Sequence, residues 1–303
     1  MRALVVGFGS IGRRHARILK SIGYEVAVVT SQSDVPLPRF ATISLAESSW
    51  RPSHIVIASP TSAHFENLCE LTGTTFRGTC VVEKPIFDTL KDVSKSIPFV
   101  VGVGYNLRFL PTIQRLKILL ENEEVLTASF YNGEYLPDWR PGRDYRTTSS
   151  ASRTMGGGVL RDLSHEVDFI HYLLGAPSSA IADVSQSGTL EIETDDTVRA
   201  TLKHASGCTS TLALSYLDRT RRREIVFATK RISIYCNLLT GQILCDGETF
   251  HDPIERDLTF EKMHREVAAN SFSVACTMSE GIEVLRTIEM IESSSVYKAW
   301  TAR

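Results

Sequence analysis

The apolar run Ala3-Leu4-Val5-Val6 passes directly into Gly7-Phe8-Gly9-Ser10-Ile11-Gly12. Helix-compatible residues Arg13 to Leu19 follow, and then a second apolar run, Val26-Ala27-Val28-Val29. Strand, glycine turn, helix and strand in that order is the context in which G-x-G-x-x-G marks a dinucleotide site. Gly7 permits the tight turn, Gly9 lets the backbone approach a pyrophosphate, and Gly12 lets the helix close on the strand. Ser10 and Ile11 open the helix, whose free N–H groups and partial positive charge suit a phosphate. The opening thirty residues therefore demand a parallel sheet and predict dinucleotide binding.

The rest of the first hundred residues keeps the alternation. Ile55-Val56-Ile57-Ala58 precedes Pro60-Thr61 and a helix from about 63 to 71, Thr79-Cys80-Val81-Val82 ends in Glu83-Lys84-Pro85, and Phe99 to Val103 is a fifth strand. Short β-branched runs without polar alternation imply a parallel sheet covered on both faces. Segment 31–50 carries Pro36, Pro38 and little helix signal, which predicts an irregular crossover.

After Arg108 the pattern changes, dividing the chain into expected domains of 1–108 and 109–303. A helix over 111–121, a strand over 127–131 and a polar, aromatic loop over 133–152 lead to Gly156-Gly157-Gly158. One helix is expected next, with Leu160, Leu163, Val167, Ile170 and Leu174 as its apolar stripe and Gly175 and Pro177 as its stop. Alternating strands then recur at 197–203, 210–217, 224–227, 232–236 and 242–244, before a last amphipathic helix over about 276–297. They predict a large, mostly antiparallel open sheet, one face of which must be solvated, covered by helices or paired with another subunit.

Charge excludes one class of partner. The net charge is -2, and the basic patch Arg219, Arg221, Arg222 and Arg223 lacks interleaved aromatics, so no nucleic-acid partner is expected. No apolar run approaches the ~18–20 residues a membrane span needs, and Met1 leads straight into a strand with no signal peptide. Six cysteines without C-x-x-C spacing read as buried thiols in a reducing cytoplasm, with no metal site.

Three features can carry chemistry. Lys84 stands at the carboxyl end of a strand, where doubly wound folds bind ligands; it either donates a proton to a substrate oxygen or is a surface lysine. Asp162 and His165, about 60° apart on one expected helix, are either an acid–base pair or its solvated face. The loop Tyr135 to Arg146 mixes Trp139 and Tyr145 with Arg140, Arg143 and Arg146. Rings that stack on sugar faces and guanidinium forks suit a polyhydroxylated, anionic ligand; the same arginines can equally make local salt bridges.

The ordered set Gly7-x-Gly9-x-x-Gly12 with Arg13-Arg14-His15, Ser59-Pro60-Thr61-Ser62-Ala63-His64, Glu83-Lys84-Pro85, Tyr105-Asn106-Leu107-Arg108-Phe109 and Gly156 to Asp168 resembles the Gfo/Idh/MocA family over essentially the whole chain. The resemblance implies an N-terminal Rossmann domain and a C-terminal α+β domain with an open sheet, often used to form dimers or tetramers. It implies hydride transfer between a nicotinamide cofactor and a sugar or cyclitol carbon. By position it makes Lys84, Asp162 and His165 catalytic, with His165 the acid–base. Ser59, Pro60, Thr61, His64 and Glu83 join the cofactor set, and Asn106 and Arg108 join Trp139, Arg140, Tyr145 and Arg146 in the substrate set. The family's Asp-to-His spacing is four; here it is three, which still shares a helix face.

Cofactor choice turns on the end of the second strand. NAD-specific folds carry an acid there, whereas Val29 is followed by Thr30-Ser31-Gln32. Ser31 can take a 2′-phosphate, with Arg13 or Arg14 supplying charge, so NADP is slightly preferred over NAD. The arginine-rich loop favours an acidic or nucleotide-activated sugar. The competing readings are a cyclitol dehydrogenase, a dihydrodiol or imine reductase, and a non-catalytic cofactor-binding sensor.

Overall fold

The computed structural model describes residues 1–93 and 96–302. Its first stretch alternates β1 (Arg2–Val6), α1 (Ser10–Ser21), β2 (Glu25–Val29), β3 (Arg39–Phe40), α2 (Ile43–Trp50), β4 (His54–Ile57), α3 (His64–Thr72), β5 (Thr79–Val82) and β6 (Val100–Val103). Then come α4 (Pro111–Leu120), β7 (Val125–Gly133), α5 (Val159–Asp162), α6 (His165–Leu174), β8 (Pro177–Ser185), β9 (Thr197–His204) and β10 (Thr209–Ser215). The chain continues through β11 (Arg222–Thr229), β12 (Ser233–Asn237), β13 (Gln242–Cys245) and β14 (Glu248–His251), and ends with α7 (Arg256–Ala268), β15 (Cys276–Thr277), α8 (Met278–Tyr297) and β16 (Thr301–Ala302).

Two sheets result. The first has the order β15-β6-β5-β4-β1-β2-β3 and is parallel except where β15 runs against β6. Its central strands are buried on both faces, as their continuous Val, Ile and Leu content requires. The second has nine strands, β14-β13-β12-β11-β7-β10-β9-β8-β16, and is antiparallel apart from the parallel pair β7–β10. The chain divides into two compact units, 1–109 with 255–282, and 110–254 with 283–303.

Two local expectations are corrected. The crossover 31–50 is irregular only at its start, because α2 forms over Ile43–Trp50. Thr42 caps it, its hydroxyl accepting the Leu45 N–H at 3.1 Å, and that one cap starts a helix the prolines upstream do not reach. The single helix expected after Gly158 is two, α5 and α6, broken at Leu163 and Ser164. Leu163 takes φ −96°, ψ 26°, ending α5. Of the expected stripe, Leu160, Val167 and Ile170 are buried while Leu163 and Leu174 are half-buried.

The return of 255–282 to the first unit has a packing reason. Phe260, Met263 and Val267 of α7 join the core formed by Val5, Ala16, Leu19, Val28 and Val81. His264 enters the same core and meets two other buried imidazoles. Its Nε2 lies 2.8 Å from His15 Nδ1 on α1, and its Nδ1 lies 3.0 Å from His54 Nε2 on β4. His54 Nδ1 reaches Thr79 Oγ1 at 2.7 Å, and His15 Nε2 reaches Glu83 Oε1 at 2.8 Å. All three rings are essentially inaccessible to solvent. Burial, with the neighbouring His15 ring adding to it, drives the His54 pKa down to about 3. Burial, with His15 and His54 adding, drives His264 well below its ordinary value.

Folded and unfolded chains therefore bind protons differently. Unfolded, both imidazoles take up protons near 6.5; folded, they refuse them. This contribution to stability is complete above that value and is lost as pH falls below it, towards about 3 at His54. Urea unfolding followed by circular dichroism is expected to lose about 1.4 kcal/mol per pH unit for each of the two rings across the steep part of that window. A stability independent of pH between neutrality and the ordinary carboxylate range would show that the rings are not held neutral.

Candidate functional site

In the first unit the glycine turn has the geometry its sequence implied. Gly7 sits at φ +91°, and a Cβ on Gly12 would stand 2.1 Å from the Gly7 carbonyl oxygen, so only glycine lets α1 start this close to β1. At Gly9 a Cβ would meet nothing within 4 Å. The backbone there faces open space, Ser10 is exposed, and no side chain caps the first N–H groups of α1. An exposed, uncapped helix start beside a glycine that leaves room for a ligand fits the pyrophosphate of a dinucleotide.

At the end of β2, Thr30 is half-buried and Ser31 exposed. Arg13 Nη2 donates to Gln32 Oε1 at 2.7 Å, its guanidinium lying 4.4 Å over the Phe8 ring, and Arg39 Nη1 donates to the Gln32 carbonyl at 3.2 Å. Two cations thus flank a turn that carries no acid over 30–32.

The carboxyl ends of β4 and β5 are tied together by His64. Its Nε2 lies 3.0 Å from the Ser59 carbonyl, and its Nδ1 lies 3.2 Å from the carbonyls of both Pro85 and Ile86. His64 is buried, and burial holds its pKa below the ordinary value although the carbonyls and Glu83 oppose that. The ring thus positions Pro60 and Thr61, which form the turn after β4, and Lys84 rather than presenting itself to a ligand. The Ser59 hydroxyl accepts from Asn67 Nδ2 at 2.7 Å.

Glu83 is held from both sides. Its Oε1 faces His15 Nε2, and its Oε2 accepts the Lys84 N–H at 3.2 Å. A Cβ on Gly104 would come within 2.8 Å of Oε1, so glycine there makes room for the carboxylate. Burial pushes the Glu83 pKa up, but the hydrogen bond and pull of the His15 ring, the Lys84 charge and the Lys84 N–H outweigh it, and the carboxyl ends below its ordinary value. Lys84 is half-buried. Asn106 and Arg108, expected at the substrate, are instead buried in this unit: Asn106 Nδ2 donates to Thr259 Oγ1 at 2.6 Å, and Arg108 Nη1 pairs with Glu280 Oε1 at 3.1 Å.

In the second unit Asp162 ends α5. Its Oδ2 accepts the Ser150 hydroxyl at 2.5 Å and the Tyr216 phenol at 2.7 Å. Tyr216 is fully buried, and burial followed by the Asp162 charge holds its pKa well above the ordinary value, so the phenol stays a donor. Neither partner carried a sequence signal: Ser150 lies in the long loop and Tyr216 just past β10. Gly158 makes the approach possible. It sits at φ +118°, and a Cβ there would stand 2.2 Å from Asp195 Oδ1. Asp195 in turn accepts the Leu160 N–H at 3.0 Å.

His165 begins α6, half-buried, its ring 6.4 Å from that of Phe169. Beside it Glu166 and Arg223 form a close ion pair at 2.5 Å. The Trp139 ring packs edge-on against Tyr216 at 5.2 Å. Arg146 is engaged locally, by Asp144 at 2.9 Å and Glu191 at 3.1 Å, and the Tyr145 hydroxyl accepts the Glu191 N–H at 3.3 Å. Trp139, Arg140, Arg143, Tyr145 and Ser150 line a cavity of about 10 Å³, room for a single water. Among the described residues no group of His, Cys, Asp and Glu could hold a metal ion.

Residues 113–238 match the model of the GFO/IDH/MocA C-terminal domain. The chain is 25% identical over 264 residues to the uncharacterized oxidoreductase YrbE of Bacillus subtilis (strain 168), covering 75% of this chain and 71% of that one. It superimposes with a TM-score of 0.84 and 16% identity on the WlbA dehydrogenase of Bordetella pertussis in complex with NADH and UDP-GlcNAcA, over 100% of this chain and 97% of that one. It superimposes on levoglucosan dehydrogenase in complex with NADH and levoglucosan with a TM-score of 0.86 and 15% identity, over 100% and 99% of the two chains. At such identities these superpositions speak for the fold. Residues 113–238 thus carry a GFO/IDH/MocA C-terminal domain, and the glycine turn, the Glu83-Lys84-Pro85 strand end and the nine-stranded sheet that the resemblance to this family implies are all in place.

Proposed function

We propose that this oxidoreductase moves a hydride between C4 of a bound nicotinamide and a carbinol or carbonyl carbon of a sugar or sugar derivative. The observation that carries the reading is Glu83 with Lys84: His15, on the helix that starts at the glycine turn, grips the carboxylate whose next residue is Lys84. The dinucleotide, held at Gly7 to Gly12, supplies the hydride acceptor or donor. Lys84 then gives or takes the proton of the substrate oxygen. His165 is the proposed acid–base, and Asp162 supports it through a carboxylate steadied by Ser150 and Tyr216.

Substrate class is argued from the loop. Arg140 and Arg143 beside Trp139 favour an acidic or nucleotide-activated sugar, and the Bordetella pertussis protein similar in fold is described with UDP-GlcNAcA. The engagement of Arg146 by Asp144 and Glu191 favours a second reading, a neutral sugar or cyclitol. For the cofactor, Arg13 and Arg39 at the acid-free turn support a slight preference for NADP, although the similar structures are described with NADH. Assembly into a homodimer or homotetramer is proposed through the outer face of the large sheet, where Val226, Tyr235 and Leu244 lie side by side on three strands. Val226 and Leu244 are exposed there. No helix among the described residues is long and apolar enough to cross a membrane, and a cytoplasmic location is proposed.

Fluorescence titration should give micromolar binding of NADPH or NADH, with the Arg13→Ala variant losing affinity for NADPH several-fold more than for NADH. Equal losses would remove the 2′-phosphate argument. On a sugar turned over by the parent enzyme, Lys84→Met and His165→Ala should each lower kcat by about 100-fold or more with cofactor affinity kept. Near-normal turnover by either variant would assign its role elsewhere. Sedimentation at micromolar concentration should find a dimer or tetramer, and a clean monomer would refute assembly through the sheet.

A further inference from the structure

The buried histidines form an unbroken hydrogen-bonded line from one end of β5 to the other. Thr79, half-buried at the amino end, meets His54; His54 meets His264; His264 meets His15; and His15 meets Glu83 at the carboxyl end. The contacts are 2.7, 3.0, 2.8 and 2.8 Å. Their direction follows from two conditions: an ionised carboxylate can only accept, and a neutral His15 carries one ring proton, not two. His15 Nε2 must therefore carry its proton and donate to Glu83. A neutral ring with Nε2–H offers Nδ1 only as an acceptor, so His264 Nε2 donates to His15, and His54 Nε2 donates to His264. The Thr79 hydroxyl donates to His54 Nδ1. Every hydrogen bond points towards Glu83.

Hydrogen bonding alone does not call for three imidazoles in a row, meeting edge-on, since apolar side chains would fill the same core without polar groups to satisfy. Imidazole differs from other neutral side chains in accepting a proton at one nitrogen while releasing another from the second. Resting on the oxidoreductase reading, we propose that His54, His264 and His15 are a proton wire that feeds Glu83, and through it Lys84, from the Thr79 end of the strand. A proton arriving at His54 Nδ1 releases the Nε2 proton to His264 Nδ1. His264 passes its own Nε2 proton to His15 Nδ1, and His15 passes its Nε2 proton to Glu83 Oε1. One proton enters, and one appears on the Glu83 carboxyl. Each ring has exchanged Nε2–H for Nδ1–H, and no charge remains inside. The Glu83 acid then restores the proton that the Lys84 ammonium has lost to a substrate oxygen. The wire resets when the three rings return to Nε2–H.

Among the described residues the other titratable groups around the line include His64, which feels the Glu83 charge. The Tyr24 ring lies 5.8 Å from that of His54, the Arg265 charge acts on Tyr24, and Lys84 adjoins Glu83. The Phe260 ring closes the side of His15 at 5.2 Å. The three imidazoles act through Glu83 and touch neither substrate nor cofactor in this scheme.

His264→Gln separates relay from structure. A glutamine can accept from His54 and donate to His15, which keeps both hydrogen bonds, but an amide does not pass a proton through. Nitrogen NMR of histidine-labelled protein near neutral pH should find His15, His54 and His264 all as Nε2–H tautomers in the parent chain; any of them as Nδ1–H or doubly protonated overturns the wire. With a sugar the parent enzyme turns over, H264Q should lower kcat about tenfold, raise the solvent deuterium isotope effect on kcat, leave NADH affinity within about twofold, and recover with added imidazole buffer. Thr79→Val, a half-buried position that loses only the terminal donor, should show the same pattern more weakly if H264Q does not fold. Parental turnover and isotope effect in both variants would refute the wire while leaving the oxidoreductase reading intact. A parent chain that binds NADH yet turns over no sugar would defeat that reading, and the proposed service to Lys84 with it.

Discussion

A carboxylate buried in a protein interior must be met by donors, because leaving it unpaired costs several kcal/mol. At Glu83 that requirement organises the first unit. Its two oxygens are satisfied by a ring on α1 and by the N–H of the next residue, so the helix that begins at the glycine turn and the strand end that bears Lys84 are locked to one acceptor. Gly12 lets α1 lie close enough to β1 for that reach, and Gly104 clears the space the carboxylate occupies. The histidine line then extends the constraint through the core to α7, a helix distant in sequence. Shifting any one of these elements would strand a polar group where water cannot reach it.

The second unit settles its polar groups around another carboxylate. Asp162 is approached by a hydroxyl from the long loop and a phenol from the end of β10, while Asp195 holds the start of α5 through the Leu160 N–H. Gly158 adopts a backbone conformation that other residues avoid. The triple glycine, which in the sequence reads as a helix start, is thus also the means by which α5 approaches Asp195. The break after Asp162 gives His165 the first position of a new helix, with Glu166 and Arg223 paired at its side.

The strand–turn–helix at the amino terminus, the parallel sheet, the large antiparallel sheet and the family resemblance were legible in the residues themselves. Each depends on local signals: glycines at fixed spacing, apolar runs of strand length, and alternation with period two. The same logic explains the partial reading of segment 31–50. Two prolines dominate the local pattern there, and the α2 cap depends on a single hydroxyl at Thr42. It also explains the mistaken single helix over 159–174, because apolar spacing continues smoothly across Leu163 and Ser164 while the backbone does not.

What the sequence by itself determined was the turn that leaves room for a dinucleotide, because backbone conformation at glycine is a property of three or four neighbouring residues. It also determined that Lys84 ends a strand of the parallel sheet. Only tertiary structure decided which distant side chains meet: His54 and His264 with His15, Ser150 and Tyr216 with Asp162, and Asn106 and Arg108 with their buried partners. Those pairings join residues up to 249 positions apart. Nothing in local composition marks a histidine as one link of a line. The reason is physical: a buried polar side chain is satisfied by whatever the folded core brings within about 3 Å of it, and that is settled only when the elements pack.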